Sequence, residues 1–231
     1  MSAGQIALDI TLPVRARFDT FIPRGNEEAL DALAGLSEEV AGSTGFLWGE
    51  PGVGKTHLLQ AFCQQLRDRG EPVIYLPMSE WVDQPPAALD GLSGPWTVVI
   101  DDVQRVAGQR DWEEALFHAY NRVLGGGGGW LASAEQAPAA LNIDLPDLRS
   151  RLASGVILRL RALDEEGLRQ ALKERADHLG MVLPDNVIEF LMRRINRRMS
   201  AVVDALDRID RFSIAEQARP TLPLVKRALE L

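Results

Sequence analysis

The sequence predicts an α/β protein, with a five-stranded parallel sheet flanked by helices and a C-terminal helical domain. Three observations predict it. Short apolar runs alternate with helical patterns through about residue 160, a glycine-rich turn follows the first of those runs, and only helical patterns remain after Leu163. Alternating strands and helices are typical of a parallel sheet that is covered on both faces.

Five apolar runs are the predicted strands, and most are bounded by turn residues. They are "GFLW" at 45–48, "PVIYLP" at 72–77, "TVVIDD" at 97–102, "WLAS" at 130–133 and "VILRL" at 156–160. Helical spacing of apolar residues predicts helices over 55–68 and over 111–124 between them. The run Gly125–Gly129 carries no lysine after it, so it is interpreted as a flexible connection and not a phosphate-binding loop.

After Leu163 the pattern predicts four helices. They lie in "DEEGLRQALKERADHLG", "LPDNVIEFLMRRI", "SAVVDALDRIDRFSIAEQ" and "TLPLVKRALEL". The first begins with acidic residues and ends at a glycine, which are the residues favoured at a helix N-terminus and C-terminus respectively. The predicted organisation is a short N-terminal segment, 1–14, then an α/β domain over 15–162 and a helical domain over 163–231.

Composition excludes several classes of protein. The 231 residues carry a net charge of −8, which disfavours binding nucleic acid by charge alone. The single cysteine, Cys63, excludes an internal disulfide and fits a reducing compartment; its helical context predicts a buried thiol. The N-terminus lacks a basic region followed by an apolar core, so we expect no signal peptide, and no apolar run approaches the roughly 18 residues of a membrane span. We expect a cytoplasmic protein with no membrane partner.

The segment "GEPGVGKT" at 49–56 matches G-x-x-x-x-G-K-[ST], between an apolar strand and a helix. Its glycines allow successive N–H groups and the helix N-terminus to hold phosphate oxygens. Lys55 would reach the β- and γ-phosphates, and the Thr56 hydroxyl would ligate Mg²⁺. We therefore expect ATP or ADP with Mg²⁺ at Gly49, Pro51, Gly52, Val53, Gly54, Lys55, Thr56 and His57.

The predicted third strand ends on two acidic residues, Asp101 and Asp102. Asp101, at the C-terminal edge of the sheet, would hold the magnesium shell, and Asp102 would orient an attacking water. Taken alone, this pattern also fits an ordinary strand end. About 45 residues after a complete phosphate-binding loop, it predicts the second half of a nucleotide site.

Together these segments resemble an AAA+ ATPase, and more narrowly the ATP-binding domain of the bacterial replication initiator DnaA. "FDTFIPRGN" resembles the signature ahead of the initiator's nucleotide pocket, "IDDVQ" resembles its Walker B segment, and "RSRLASG" resembles its arginine-bearing box. The resemblance runs from about residue 15 to residue 228. It implies an AAA+ P-loop NTPase fold with a C-terminal helical lid.

The ends of the sequence are similar to the Hda family, which mediates regulatory inactivation of DnaA. The sequence stops after the lid, where DnaA continues into a DNA-binding domain, and it begins with a stub that contains "QIALDI". Hda proteins carry a short motif of Gln and alternating hydrophobics that docks on the DNA polymerase III β sliding clamp. The resemblance implies clamp binding by Gln5, Ile6, Leu8 and Ile10. A strand packed on the chain's own domain is the alternative.

The resemblance also implies roles for single residues. Arg151 occupies the position of an arginine finger that acts in trans on ATP bound to DnaA; a surface arginine in a loop is the alternative. Ser133 matches the first sensor, near the γ-phosphate. Ser200 stands where a second-sensor arginine is expected, and Arg197 would substitute if one helix continues through both. We expect this site to hold nucleotide and hydrolyse it slowly.

Three functions follow as hypotheses. The first is a regulator that bridges the DNA-loaded clamp and ATP-bound DnaA, and stimulates ATP hydrolysis by DnaA through Arg151. The second is an autonomous AAA+ remodeller or helicase loader, favoured by the complete Walker motifs and disfavoured by Ser200. The acidic balance disfavours the third, an initiator paralogue that binds specific DNA sequences. AAA+ surfaces would also permit a homodimer or a higher oligomer.

Overall fold

The computed structural model describes residues 16–196 and 198–231. These residues group into two compact units. The first comprises described residues up to 21, 26–49 and 55–160, and the second comprises 22–25, 50–54 and 161–231. The predicted boundary lay between 162 and 163; the structural division falls after 160 and assigns two short upstream segments to the helical unit.

A parallel sheet forms the centre of the first unit. Its described strands are β1 (Thr44–Trp48), β2 (Val73–Pro77), β3 (Thr97–Asp101), β4 (Gly129–Ala134) and β5 (Val156–Arg159). Their order is β2-β3-β4-β1-β5, and every neighbouring pair is parallel. The predicted five-stranded parallel sheet is confirmed. Because parallel strands end at the same edge, the residues that follow β1, β3 and β4 meet there.

Helices of this unit pack apolar faces on the sheet. They are α1 (Glu27–Glu38), α2 (Lys55–Asp68), α3 (Met78–Trp81), α4 (Arg110–Gly125) and α5 (Pro146–Leu152). In α4, Leu116, Ala119 and Val123 recur at helical spacing and are buried. Cys63 is fully buried in α2, as predicted, and burial raises the pKa of its thiol to about 12.

The glycine run between α4 and β4 is closely packed. A Cβ at Gly126 would lie 2.6 Å from the Gly94 Cα, and one at Gly128 would lie 2.2 Å from the Trp96 carbonyl oxygen. At Gly129 the nearest atom would be the Val40 carbonyl oxygen at 2.6 Å. The sequence suggested a flexible connection; the structure shows that these glycines permit close approach of backbone segments.

The second unit contains four helices in its described part, as predicted. They are α6 (Glu165–His178), α7 (Asp185–Arg194), α8 (Met199–Glu216) and α9 (Leu222–Ala228). Asp164 caps α6 by accepting the Gly167 N–H at 2.7 Å, and this bond together with Arg24 lowers the pKa of its carboxyl group. The condition set for Arg197, one helix that continues through it to Ser200, is not met, because α7 ends at Arg194 and α8 begins at Met199.

None of the helices within 16–196 and 198–231 has the length and apolar composition needed to span a membrane.

Candidate functional site

The phosphate-binding loop follows β1 and leads into α2. The Gly49 N–H donates to the Ala134 carbonyl at 3.2 Å, and the Lys55 ammonium donates to the Gly49 carbonyl at 2.8 Å. Gly52 and Gly54 have φ angles of +82° and +104°, in the left-handed region that glycine adopts readily. The backbone conformation of the loop therefore explains two of the glycines in the motif.

Lys55 is a buried cation at this edge of the sheet. Lys55 is 6% exposed, and burial lowers the pKa of its ammonium group below the ordinary lysine value. The negative charges of Asp102, Glu135 and Asp101 act in the opposite direction and favour the ammonium. A phosphate ligand would add further negative charge near the ammonium and favour its protonated form.

A second cluster surrounds the Asp101 carboxylate, which is almost fully buried. One of its oxygens accepts the Thr56 hydroxyl at 2.7 Å and the Tyr75 hydroxyl at 2.8 Å. The other accepts the Ser133 hydroxyl at 2.5 Å. The structure thus brings together three residues that the sequence singled out, Thr56, Asp101 and Ser133, from α2, β3 and β4.

Sequence reasoning missed Tyr75. Burial, with the nearby charge and hydrogen bond of Asp101, raises the pKa of its hydroxyl above the ordinary range, so the hydroxyl stays a donor. The available signal was a single hydroxyl group in the otherwise aliphatic strand "VIYLP", beside the strand that carries Asp101. A polar atom in such a strand needs a buried partner.

The Thr56 hydroxyl and the Asp101 carboxylate fit a magnesium ion. Both are hard oxygen ligands, and Mg²⁺ is usually held by one or two such groups together with phosphate oxygens and water. No group of three or more His, Cys, Asp and Glu side chains suited to a metal occurs in the part of the chain that the structure describes. When bound with nucleotide, Mg²⁺ neutralises charge on the β- and γ-phosphates.

Asp102 differs from Asp101 in both backbone and contacts. Its φ angle is +60°, left-handed for a residue other than glycine, and its N–H donates to the Ser133 hydroxyl at 3.0 Å. One carboxylate oxygen accepts the Gln104 amide at 3.0 Å, and the Arg105 guanidinium lies 3.8 Å from the other. Both oxygens are therefore engaged by neighbouring side chains.

His57, which the sequence placed among the nucleotide-binding residues, directs its ring toward an N-terminal segment. Its Nε2 lies 3.0 Å from the Arg17 carbonyl oxygen and 3.1 Å from the Thr20 hydroxyl. The Phe21 ring centroid lies 6.1 Å from that of the imidazole. In this structure the His57 side chain packs α2 against residues 17–21.

A pocket of about 200 Å³ lies in the second unit. It is lined by Glu50, Pro51, Gly52, Val53, Ala162, Leu163, Asn196, Arg198 and Met199. A Cβ at Gly52 would lie 2.9 Å from the Ser200 hydroxyl and 3.1 Å from the Arg198 Cβ, so both residues contact the phosphate-binding loop. Sequence reasoning missed Arg198; the available signal was the basic run "RRINRR" directly before α8.

Arg151 lies in the last turn of α5 and is exposed. Its guanidinium carbon is 5.8 Å from the centroid of the Tyr120 ring, a residue of α4. The other end of α5 is held by Glu113, which is 1% exposed and accepts the N–H groups of Asp144 at 3.1 Å and Leu145 at 2.7 Å. The predicted arginine therefore stands on a helix whose two ends are anchored to α4.

The remaining predicted positions, Arg197 and the N-terminal residues Gln5, Ile6, Leu8 and Ile10, lie outside the described residues.

Two family models match the chain, and together they cover most of it. The model described as "Hda, lid domain" matches residues 164–229, and the model of the bacterial DnaA ATPase domain matches residues 12–89. The chain is an Hda- and DnaA-like AAA+ protein. These matches confirm the resemblance to Hda and DnaA that the sequence motifs indicated.

Solved structures show the same fold. Domain III of the Thermotoga maritima replication initiation protein DnaA is 20% identical, with 95% of this chain and 97% of that one covered at a TM-score of 0.79. AMPPCP-bound DnaA from Aquifex aeolicus is 23% identical, with 86% and 66% covered and a TM-score of 0.70. The Thermotoga maritima RuvB Holliday junction branch migration motor is 22% identical, with 95% and 72% covered and a TM-score of 0.67.

Proposed function

We propose that this protein regulates replication initiation by bridging the DNA-loaded sliding clamp and ATP-bound DnaA, and by stimulating ATP hydrolysis on DnaA. The lid and ATPase-domain matches support a DnaA-related replication regulator. The observation that carries the proposal is the exposed guanidinium of Arg151 at the end of an anchored helix. Offered to a partner's γ-phosphate, such a group accelerates hydrolysis by about 10³ to 10⁵.

The chain's own nucleotide, ATP or ADP with Mg²⁺, binds in this proposal at the phosphate-binding loop. Loop N–H groups and Lys55 hold the phosphates, and Thr56 and Asp101 hold the magnesium ion. Ser133 fixes Asp101 by a hydrogen bond and also contacts the Asp102 backbone. The Asp102 carboxylate accepts the Gln104 amide and forms an ion pair with Arg105, and these partners support slow turnover because they compete with a water molecule for the carboxylate.

Arg198 adds positive charge beside Gly52 and takes the role for which the sequence offered Arg197. Its Cβ and Cδ would lie 3.1 and 3.2 Å from a Cβ at Gly52, and it lines the pocket there. Arg198→Ala is expected to weaken ADP binding by about tenfold, the loss of one charge-assisted hydrogen bond. Arg194→Ala, at the end of α7, is the matched control and should leave ADP affinity unchanged in calorimetric titration. Equal losses in both variants contradict the assignment.

Tethering to the clamp rests on Gln5 with Ile6, Leu8 and Ile10. A short apolar segment binds a groove through a few anchors that carry most of the binding energy. Tethering raises the local concentration of Arg151 near DnaA on the same DNA, without requiring a new contact. These partners place the action of the protein in the cytoplasm, and a homodimer or larger oligomer would use the same AAA+ surfaces.

The test is single-turnover hydrolysis of labelled ATP prebound to DnaA, with clamp loaded on DNA. Wild-type protein should accelerate hydrolysis, Arg151→Ala should abolish the acceleration at every concentration, and Gln5→Ala should raise the concentration required. Omitting the clamp should reproduce the Gln5→Ala result with wild-type protein. Acceleration that survives Arg151→Ala would overturn the proposal.

The alternative function is an autonomous AAA+ remodeller or helicase loader that uses its own ATP turnover. The assembled cluster of Thr56, Asp101 and Ser133 favours it, since these groups also serve hydrolysis in cis. Multiple-turnover hydrolysis by the isolated protein, lost in Asp102→Asn, would support the remodeller. Turnover slower than DnaA inactivation would exclude it.

A further inference from the structure

We propose that Tyr120 is a positioning residue for Arg151, holding the arginine side chain and the end of its helix in the orientation that a partner's γ-phosphate requires. This inference rests on the proposed function of Arg151. It assigns the positioning to one aromatic side chain of α4, with Ser154 as the link to the α5 backbone.

The Tyr120 ring supports the guanidinium. The guanidinium carbon of Arg151 lies 5.8 Å from the ring centroid, within the range at which a cation is attracted to an aromatic face. Tyr120 itself is 4% exposed, and its ring meets the Trp130 ring edge-on at a centroid distance of 5.2 Å. The platform beneath an exposed arginine is thus fixed by a strand of the central sheet.

The Tyr120 hydroxyl continues the support into the backbone of α5. The Ser154 hydroxyl donates its only proton to the Arg151 carbonyl at 2.6 Å. The Tyr120 hydroxyl lies 2.8 Å from the same Ser154 oxygen, so Tyr120 must be the donor in that bond. The Ser154 carbonyl in turn accepts the Thr44 hydroxyl at 3.1 Å. Ser154, the second residue after α5, is therefore held by hydrogen bonds to α4 and to β1.

These two supports restrict a side chain that is otherwise free in water. An exposed arginine loses rotamer freedom when it is aligned with a reacting group, and that cost falls on the partner's hydrolysis step. A guanidinium that already rests on a fixed ring loses less freedom at that step. The support should therefore raise the maximal rate of stimulated hydrolysis more than the affinity for DnaA.

The experiment uses full-length Tyr120→Leu, which removes ring and hydroxyl, and Tyr120→Phe, which removes only the hydroxyl. Leu116→Ala is the matched control, because it also removes a buried side chain from α4 but leaves the Tyr120 ring and hydroxyl in place. Each change is made with Arg151 intact and with Arg151→Ala. The measurement is the maximal rate of hydrolysis of DnaA-bound ATP and the protein concentration that gives half of it.

We expect Tyr120→Leu to lower the maximal rate about tenfold at an unchanged half-maximal concentration, since misalignment of a catalytic group acts on the chemical step. Tyr120→Phe should give a smaller loss. Neither change should have a further effect in the Arg151→Ala background. The inference is overturned if Tyr120→Leu keeps the full rate, if it lowers the rate equally without Arg151, or if Leu116→Ala lowers the rate as much.

A readout without DnaA separates this inference from the proposed function. The Arg151 Nε–Hε signal in nitrogen-15 NMR should report a restricted side chain in the wild type and a mobile one in Tyr120→Leu. If Arg151→Ala leaves stimulation intact while this NMR difference is present, the finger role fails although the support exists. If the signal is equally mobile in both proteins, the positioning role itself is wrong.

Discussion

The buried cluster around Asp101 and the exposed end of α5 are two opposite ways of presenting charge. Asp101, Ser133 and Lys55 are 4%, 0% and 6% exposed, and the Asp101 carboxylate accepts three hydroxyl groups. Arg151, by contrast, lies at the surface over one aromatic ring. The first arrangement suits a ligand that the protein keeps, and the second suits a ligand that another molecule brings.

The difference separates stability from action on a partner. The Asp101 carboxylate bonds to the Thr56, Tyr75 and Ser133 hydroxyl groups, so its loss leaves buried polar groups without their partner. The Arg151 guanidinium is solvated when it is not engaged, so its loss leaves nothing unsatisfied. Variants of the cluster should therefore affect folding and nucleotide binding, while variants of Arg151 should affect only the partner.

The largest expected effect comes from comparing one variant of each region, because each variant should lose the property that the other keeps. Arg151→Ala should reduce stimulated hydrolysis of DnaA-bound ATP by about 10³-fold or more, while its own ADP affinity stays unchanged. Lys55→Ala should lose most ADP affinity, because the ammonium that holds the phosphates in the proposed site is gone. The measurements are single-turnover hydrolysis and calorimetric titration of both variants. A common loss of both properties in Arg151→Ala would erase the distinction between the two regions.

Close packing at the start of β4, at the opposite end of the strand from Ser133, gives the next effect. Gly128 directly precedes β4, the strand that carries Ser133, and a Cβ there would lie 2.2 Å from the Trp96 carbonyl oxygen. Gly128→Ala should lower the free energy of unfolding by about 3 kcal/mol, because backbone must shift to admit the methyl group. Gly125→Ala is the control, since no atom lies within 4 Å of its Cβ position. Urea denaturation showing equal stability for the two variants would contradict this packing.

The two adjacent aspartates should differ in their effect on stability. Asp101→Asn places an amide donor among three hydroxyl donors and should cost about 2 kcal/mol in free energy of unfolding. Asp102→Asn should change it by no more than about 0.5 kcal/mol, since Asn tolerates the left-handed backbone at that position. Thermal and urea unfolding of both variants check the difference. A larger loss of unfolding free energy in Asp102→Asn than in Asp101→Asn would contradict the assignment of Asp101 as the centre of the cluster.

The smallest effect is a dependence of stability on pH. Burial lowers the pKa of Lys55 below its unfolded value of 10.5, so the unfolded chain binds more protons in the window between the two values. The contribution of Lys55 to the free energy of unfolding should therefore rise with pH in that window, and Lys55→Met should lack this rise. Urea unfolding from about pH 8 to pH 10 measures it. Parallel pH profiles of the two proteins would show that the lysine titrates normally.

Most of the fold could be predicted from short local patterns in the sequence. The strands and the phosphate-binding loop were predictable because each is defined by a few consecutive residues, apolar in the strands and rich in glycine in the loop. The interruption between α7 and α8 was also predicted, since one predicted helix ended at Ile195 and the next began at Ser200. That interruption brings Arg198 beside Gly52, and only the folded chain shows it.

Contacts between distant residues account for what the sequence missed in the candidate site. Tyr75 meets Asp101 because their strands, β2 and β3, are neighbours in the sheet, and Tyr120 meets Arg151 where α4 packs on α5. Glu113 is similarly far from the start of α5 along the chain, and it anchors that end of the helix. Clamp binding by the N-terminal segment stays a prediction, since Gln5 to Ile10 lie outside the described residues.

The most direct test places a different radioactive phosphorus isotope on the ATP of each partner, one prebound to DnaA and the other to this protein. Mixed with clamp on DNA, the pair should release phosphate rapidly from the DnaA-bound ATP and slowly from the other. Arg151→Ala should remove the rapid release and leave the slow one. Rapid release from this protein's own ATP, with the ATP on DnaA intact, would contradict the account and indicate an ATPase that works for itself.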